Sequence, residues 1–253
     1  MKNIPNFFTL LNLVFGSIAI IFILQPGESI VNFNGDEWKV YLPEKIQWGA
    51  FFIFMAAVVD FLDGFVARLM KADSAMGKQL DSLADVVSFG VAPGMIIYQM
   101  LRLSFAYEPD GLETPFYNLL PAILLPAAAA WRLARFNIDP GQAYGFKGVP
   151  APAAGLVVAA IPLITLYNQF GVQELLLNKW VLYAIIGIVS YLMVSTLPLM
   201  GLKFINYNVK DNWPKFLLVA VALVSALLFQ WLAVPIVFVL YILLSLLTQN
   251  KTA

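Results

Sequence analysis

The sequence predicts an all-α integral membrane protein with about eight membrane-spanning helices, because of its composition and the length of its apolar runs. Hydrophobic residues make up 61% of the 253 residues and charged residues only 12%, whereas soluble domains contain about 25% charged residues. A helix needs about 20 apolar residues to cross a hydrocarbon core roughly 30 Å thick. Such runs lie near residues 8–25, 48–66, 80–101, 117–137, 151–170, 180–200, 215–230 and 232–248.

The first six runs are predicted to form one membrane domain over residues 1–200, with a C-terminal membrane hairpin over residues 201–253. No internal repeat, low-complexity tract or soluble domain is visible. The last two runs are short and are separated only by Gln230 and Trp231, so two spans or one re-entrant hairpin both fit. The amino-terminal run lacks a small-residue cleavage site, and we expect it to be retained and not removed as a signal peptide.

Basic residues in the loops predict the orientation of the chain. Eleven lysines and arginines fall on one side of an eight-span bundle and four on the other, and an excess of basic residues marks the cytoplasmic side. The sequence therefore predicts a multi-pass protein of the inner cell membrane. The eleven are Lys2, Arg68, Lys71, Lys78, Arg132, Arg135, Lys147, Lys203, Lys210, Lys215 and Lys251, and the four are Lys39, Lys45, Arg102 and Lys179.

Two residue types that often carry chemistry are missing from the chain. It contains no cysteine and no histidine, which excludes disulfides, a cysteine nucleophile and a histidine base. Zinc and copper are poor candidates as metals for the same reason. Lysine plus arginine equals aspartate plus glutamate at 15 each, so no bulk charge indicates a nucleic-acid partner.

Acidic residues are concentrated in the second and third runs, in the stretch VVDFLDGFVARLMKADSAMGKQLDSLADVVSFG. Asp60 and Asp63 are three residues apart on one predicted helix, and Asp81 and Asp85 are four apart on the next, so each pair shares a helical face. The short connecting loop favours antiparallel neighbouring helices, on which the four carboxylates converge. Grouped carboxylates repel one another unless cations neutralise them. Mg²⁺ or Mn²⁺ is the expected partner, since both prefer oxygen ligands.

Small residues and a cation accompany the acids. Gly64 lies one turn after Asp60, Gly77 lies one turn before Asp81, and Ala67 continues this small-residue stripe. The missing side chains leave room for a bulky group, and the Arg68 guanidinium suits a phosphate. Together these features suggest a bound diphosphate.

Two other interpretations of the acids remain open. They could pair with Arg68, Lys71 and Lys78 as structural salt bridges, or they could mark the pathway of a divalent-cation transporter. The first leaves the glycines unexplained. The second favours acids distributed across the bilayer depth, whereas these four lie at one end of two helices.

The pattern Asp60-x2-Asp63-Gly64-x2-Ala67-Arg68-x8-Gly77-x3-Asp81-x3-Asp85 resembles the signature of the CDP-alcohol phosphotransferases at all eight fixed positions. The resemblance implies a helical bundle with six core spans, usually dimeric, that binds a CDP-activated lipid. It implies that the four aspartates ligate two divalent ions and that Asp85 is also the general base. It further implies that Gly64, Ala67, Arg68 and Gly77 surround the CDP-lipid, with Asn6, Thr9 and Ser74 as further contacts. Helix capping is the alternative role for the last three.

Other stretches are similar to one branch of this family, the bacterial and archaeal CDP-diacylglycerol:serine O-phosphatidyltransferases. They are PNFFTLLNLVFG at the start, LDSLADVVSFGVAPG, WRLARFN and FKGVPAPAAG. This likeness implies CDP-diacylglycerol and L-serine as substrates. Glycerol 3-phosphate, inositol phosphate and choline remain alternative acceptors, although a phosphorylated acceptor would favour a denser basic pocket.

A serine site needs a cation for the serine carboxylate. Arg135 is the first candidate, followed by Arg132 and Lys147, and Asn137 is expected to add a hydrogen bond. The alternative role for the basic residues is to meet anionic lipid headgroups at the membrane surface.

Overall fold

The computed structural model describes residues 4–25, 27–33, 36–42, 45–70, 74–108, 114–139, 145–168, 170–201 and 209–248, and most of these residues are helical. The helices are α1 (Ile4–Leu24), α2 (Ile46–Met70), α3 (Ala75–Asp85), α4 (Ala92–Ala106), α5 (Leu124–Ile138), α6 (Ala151–Tyr167), α7 (Gln173–Leu176), α8 (Lys179–Val194), α9 (Val209–Phe229) and α10 (Ala233–Thr248).

Within the described ranges, four helical stretches are long and apolar enough to cross a bilayer, so the chain is a multi-pass membrane protein. They are Pro5–Leu24, Ile46–Met70, Ala75–Ala106 and Asn212–Thr248. Helices α6 and α8 are apolar but contain only 17 and 16 residues, and the count of eight spans stays a prediction.

The third predicted run is one continuous helical stretch from α3 to α4. It begins where Ser74 caps α3, because the Ser74 hydroxyl accepts a 2.9 Å hydrogen bond from the backbone N–H of Gly77. This hydrogen bond confirms capping, the alternative role given for Ser74, while its contact with the CDP-lipid stays a prediction. A π-helical turn, Val86–Val91, follows directly after Asp85.

Three glycines allow other helices to approach the π-helical turn closely. A Cβ atom on Gly16 of α1 would lie 2.8 Å from Cα of Ser88, and one on Gly155 of α6 would lie 3.0 Å from Cα of Phe89. On the turn itself, a Cβ atom on Gly90 would lie 2.9 Å from Cβ of Ala129 in α5. Because contacts this short leave no space for a methyl group, the backbone just after Asp85 is held on three sides.

In the part of the chain that the structure describes, two small antiparallel sheets accompany the helices, and the all-α prediction did not include them. Strands β1 (Gly27–Phe33) and β2 (Asp36–Leu42) pair from Gly27 with Leu42 to Phe33 with Asp36. Asn34-Gly35 between them is a dipeptide typical of two-residue hairpin turns, so the sequence contained a signal for this sheet. Strands β3 (Gly145–Lys147) and β4 (Pro198–Met200) lie far apart in the chain, and no local pattern predicts their pairing.

Helices α9 and α10 fold back on each other as a helical hairpin, which we call the C-terminal hairpin. The α-helical conformation is interrupted at Gln230, whose φ is +47°. A 3₁₀ turn that ends at Leu232 separates α9 from α10. Helix α10 also contacts α6 and β4. The division into domains at residue 200 remains a prediction, but the hairpin rests directly on the preceding helices.

Candidate active site

The four aspartates converge, as their spacing predicts. Asp60, Asp63 and Asp81 each place one carboxylate oxygen within 4.8 Å of the others, and Asp60 also lies at hydrogen-bonding distance from Asp85. Asp63 and Asp85 are buried, each with 6% of its surface exposed. We call these four residues the acid cluster. Its donors are all hard oxygens, a set that fits Mg²⁺ or Mn²⁺.

The helices that carry the acid cluster are arranged differently from the expected side-by-side pair. Helix α1 packs against both α2 and α3, whereas α2 and α3 make little contact with each other. Their facing surfaces carry acids and small residues, which offer little apolar area to bury, while α1 offers apolar side chains to both. The acids therefore meet across a gap that α1 closes on one side.

Helix α1 contributes a hydrogen bond to each buried acid. The Thr9 hydroxyl donates to Oδ2 of Asp63 at 2.9 Å, and the Asn12 side-chain amide donates to Oδ1 of Asp85 at 3.1 Å. Asn12 is fully buried and was missed by the sequence analysis. Asn6, Thr9 and Asn12 recur every three residues in a helix whose other polar side chain is Ser17, and that periodicity was the available signal.

A polar cavity of about 520 Å³ opens beside the acid cluster. All seven residues predicted to contact the CDP-lipid line it, together with two acids of the cluster. Lys78 also lines the cavity and was not among the predicted residues. The lining residues are Pro5, Asn6, Thr9, Asp63, Gly64, Ala67, Arg68, Ser74, Ala75, Gly77, Lys78 and Asp81.

The two glycines of the cavity differ in the space around them. A Cβ atom on Gly77 would lie 3.0 Å from both Oδ1 of Asn6 and the Ser74 hydroxyl oxygen. A Cβ atom on Gly64 would meet only the Arg68 guanidinium, at 3.5 Å. The neighbours of Gly77 thus leave little space for a side chain at that position, whereas Gly64 has open space beside it in the cavity.

Among the described residues, no salt bridge joins Arg68 or Lys78 to the acid cluster. Lys78 donates to the backbone oxygen of Asn137 at 2.9 Å, and the ion pairs found among the described residues are Lys147–Asp139 and Lys179–Glu108. Lys71 lies outside the described residues. The structural salt-bridge interpretation thus has no support from Arg68 or Lys78.

Arg132 lies on α5, which packs against the π-helical turn that follows Asp85. It is buried, with 4% of its surface exposed, and its guanidinium is within electrostatic range of Asp85 and Asp60. The guanidinium carbon also lies 5.0 Å from the centre of the Phe136 ring. Burying a cation without opposite charge nearby is costly, so the acids account for the position of Arg132.

Arg135, the first candidate for the serine carboxylate, is engaged with the protein backbone. Its Nη1 donates to the carbonyl of Val194 at 2.6 Å, and its Nη2 donates to those of Lys147 at 3.0 Å and Ser195 at 2.7 Å. These carbonyls belong to β3 and to the end of α8. In this arrangement Arg135 joins three segments of the protein.

The remaining two predicted serine contacts also have protein partners. The Asn137 side chain donates to the Ser82 hydroxyl at 2.6 Å, which links α5 to α3. Lys147 pairs with Asp139 at 2.7 Å and is 49% exposed at its side chain. Both residues lie at the same end of the bundle as the acid cluster.

Comparison with known proteins agrees with the geometry. The family model for CDP-alcohol phosphatidyltransferase matches residues 2–200. A CDP-diacylglycerol–serine O-phosphatidyltransferase of Bacillus subtilis is 30% identical over 184 residues, which cover 71% of this chain and 89% of that protein.

Proteins of the same name from two other bacteria are also similar. The Helicobacter pylori protein is 34% identical over 62% of each chain. The Mycobacterium leprae protein is 38% identical over 58% of this chain and 47% of its own length, so the match spans about half of that relative. With the family model covering most of the sequence, the chain belongs to the CDP-alcohol phosphatidyltransferase family of membrane enzymes.

Proposed function

We propose that the protein transfers the phosphatidyl group of CDP-diacylglycerol to L-serine, with phosphatidylserine and CMP as products. The observation that carries this proposal is the polar cavity, which has the acid cluster at its edge and small residues and cations along its walls. Its volume of about 520 Å³ is within the range of ligand-binding pockets. The names of the similar bacterial proteins support serine as the acceptor.

The CDP-lipid would bind in this cavity. Gly64, Ala67 and Gly77 would leave room for the nucleotide, while Asn6, Thr9 and Ser74 would supply polar contacts. Arg68 and Lys78 are the cations among the lining residues, and both suit the diphosphate. The acyl chains would extend into the surrounding bilayer.

The acid cluster would hold two divalent ions through Asp60, Asp63, Asp81 and Asp85. When bound, Mg²⁺ or Mn²⁺ neutralises charge on the diphosphate and polarises the reacting phosphoryl group. Thr9 orients Asp63 for this role through its 2.9 Å hydrogen bond, since partners of metal ligands fix the direction of the ligand oxygens.

Asp85 would act as the general base. Its carboxylate accepts the proton of the serine hydroxyl, whose oxygen then forms a bond to the lipid-side phosphorus as the bond from that phosphorus to the oxygen of CMP breaks. The Asn12 side-chain amide donates to Oδ1 of Asp85 and so orients this carboxylate. Proton transfer by a positioned group contributes about 10²–10⁴-fold to rate.

Among the four predicted serine contacts, the structure favours Arg132 for the serine carboxylate. Its guanidinium is within electrostatic range of Asp85, whereas the terminal nitrogens of Arg135 donate to backbone carbonyls. Arg135, Asn137 and Lys147 would then shape the acceptor side of the site.

The predicted orientation and assembly belong to the same proposal. Among the eleven bases assigned to the cytoplasmic side, Lys78, Arg132, Arg135 and Lys147 surround the site, so its opening would face the cytoplasm of an inner cell membrane. Lys2, Lys71, Lys203 and Lys251 lie outside the described residues. We also propose that the protein works as a homodimer, in line with the family resemblance.

CMP release from the purified protein tests the proposed function. With CDP-diacylglycerol and Mn²⁺ or Mg²⁺, CMP should form with L-serine and not with glycerol 3-phosphate, inositol phosphate or choline. Asp85→Asn should abolish transfer and retain binding of CDP-diacylglycerol. CMP release with another alcohol but not with serine would contradict the assignment of serine as the acceptor. Full activity of Asp85→Asn would contradict the assignment of Asp85 as the general base.

A further inference from the structure

The C-terminal hairpin carries polar side chains that face inward although α10 is otherwise apolar. Tyr241 and Ser245 lie one turn apart in the sequence AVPIVFVLYILLSLLT and are 6% and 0% exposed. Burying a hydroxyl group is unfavourable unless it forms hydrogen bonds. Both hydroxyls therefore need specific partners inside the protein.

Both hydroxyls bind the same residue of β4. The Tyr241 hydroxyl donates to the carbonyl of Met200 at 2.9 Å, and the backbone N–H of Met200 donates to the Ser245 hydroxyl oxygen at 3.2 Å. Ser245 completes the arrangement by donating to the carbonyl of Tyr241 at 2.7 Å. Helix α10 thus fixes both polar backbone groups of Met200.

Met200 in turn sets the position of β3. It pairs with Gly145, and Pro198 pairs with Lys147 at the other end of the two strands. The next residues continue the attachment, because the N–H of Gly148 donates to the carbonyl of Leu197 at 2.8 Å. Strand β3 and the residues between it and α6 are therefore attached to β4 and to the end of α8 by backbone hydrogen bonds.

Helix α5 is hydrogen-bonded to the same segments, β3 and the end of α8. Arg135 donates to the carbonyls of Lys147 and Ser195, one turn beyond Arg132. A connected path of hydrogen bonds and strand pairing thus runs from α10 through β4 and β3 to Arg135, on the same helix as Arg132 and one turn away from it.

We propose that Tyr241 and Ser245 of the C-terminal hairpin are positioning residues for the acceptor side of the active site. This inference rests on the proposed function, because the acceptor site is assigned to the Arg132 side of the acid cluster. The cavity assigned to CDP-diacylglycerol is lined by residues of α1, α2, α3 and the capping Ser74. A change at Tyr241 or Ser245 should therefore affect the acceptor alcohol more than the CDP-lipid.

Steady-state kinetics of Tyr241→Phe and Ser245→Ala test this inference. The KM for serine should rise roughly three- to tenfold, the effect of losing one hydrogen bond, and the KM for CDP-diacylglycerol should change less than about twofold. Tyr183→Phe is the matched control, since the Tyr183 hydroxyl donates to the carbonyl of Asn118 at 2.7 Å outside this path. Ser225→Ala is the serine control, because the Ser225 hydroxyl bonds within its own helix.

Hydrogen exchange provides a readout that does not depend on serine. In Tyr241→Phe, the backbone amides of Gly148 and Met200 should exchange faster than in the unaltered protein and in Tyr183→Phe. Equal rises in both KM values, or faster exchange with an unchanged serine KM, would overturn the inference. If the unaltered enzyme does not use serine, the proposed acceptor is wrong. The same KM comparison is then made with the alcohol that supports CMP release.

Discussion

Asn12 donates its side-chain amide hydrogen to Oδ1 of Asp85, so a residue of the first helix orients the proposed base on the third. The Ser88 hydroxyl donates to the backbone carbonyl of Asn12 at 3.1 Å, and Gly16 lets α1 approach Ser88 closely. These contacts fix α1 against the π-helical turn. The orientation of Asp85 is therefore decided by three segments and not by α3 alone.

Replacing Asn12 should impair the chemical step more than lipid binding. Asn12→Leu preserves approximate side-chain volume and removes the hydrogen bond to Asp85, so we expect kcat to fall at least about tenfold, as for loss of a bond to a charged group. The KM for CDP-diacylglycerol should change less than about twofold. Ser17→Ala is the control, because Ser17 lies on the exposed side of α1 and bonds to Leu13. An unchanged kcat in Asn12→Leu would contradict the orienting role.

Thr9→Val should weaken binding of the divalent metal. The variant removes the hydrogen bond to Asp63, and loss of such a partner typically reduces metal affinity by about 10–100-fold. The Mn²⁺ concentration at half-maximal activity should rise accordingly, and calorimetric titration of the protein with Mn²⁺ should show the same change. Thr165→Val is the matched control, since Thr165 bonds to carbonyls of its own helix. Equal metal affinity in both variants would argue against Asp63 as a ligand.

Gly77→Ala should obstruct the polar cavity. The added methyl group would lie 3.0 Å from both Asn6 and Ser74, so these two side chains of the cavity wall must shift from their present positions. We expect the dissociation constant for CDP-diacylglycerol to rise about tenfold, equivalent to about 1.4 kcal/mol of lost binding. Gly187→Ala is the control, because no other atom lies within 4 Å of the added group. Unchanged lipid binding in Gly77→Ala would place the nucleotide elsewhere.

Gly148→Ala should destabilise the protein more than Gly171→Ala. Both glycines have positive φ, +78° and +66°, which costs about 1–2 kcal/mol for a residue with a side chain. At Gly148 the added Cβ would also lie 2.6 Å from the carbonyl oxygen of Ser195, whereas nothing lies within 4 Å at Gly171. Thermal unfolding in detergent should show the larger fall in melting temperature for Gly148→Ala. Equal falls would mean that the segment around Gly148 moves freely.

The absence of cysteine allows a direct test of orientation. Single cysteines at Gln79, near the acid cluster, and at Glu174, in the exposed α7, should react from opposite sides of the membrane. A membrane-impermeant maleimide applied to intact cells should label Glu174→Cys and spare Gln79→Cys until the cells are opened. Labelling of Gln79→Cys in intact cells would reverse the predicted topology.

Local patterns in the sequence were enough to predict the helices and the composition of the acid cluster. Apolar runs of span length specify membrane helices because a bilayer requires internal hydrogen bonding over about 20 residues. Spacings of three and four residues place Asp60 with Asp63 and Asp81 with Asp85, since the period of a helix is 3.6. Short-range geometry of this kind can be read without knowing how the helices pack.

Contacts between distant segments required the three-dimensional structure. Asn12 reaches Asp85 across 73 positions of sequence, and Arg135 reaches the end of α8 across about 60. The packing of α1 against both α2 and α3, and the pairing of β3 with β4, depend on which surfaces fit together once all helices are present. Side-chain volumes and backbone hydrogen bonds determine that fit over the whole bundle. The fit therefore cannot be predicted from any single stretch of sequence.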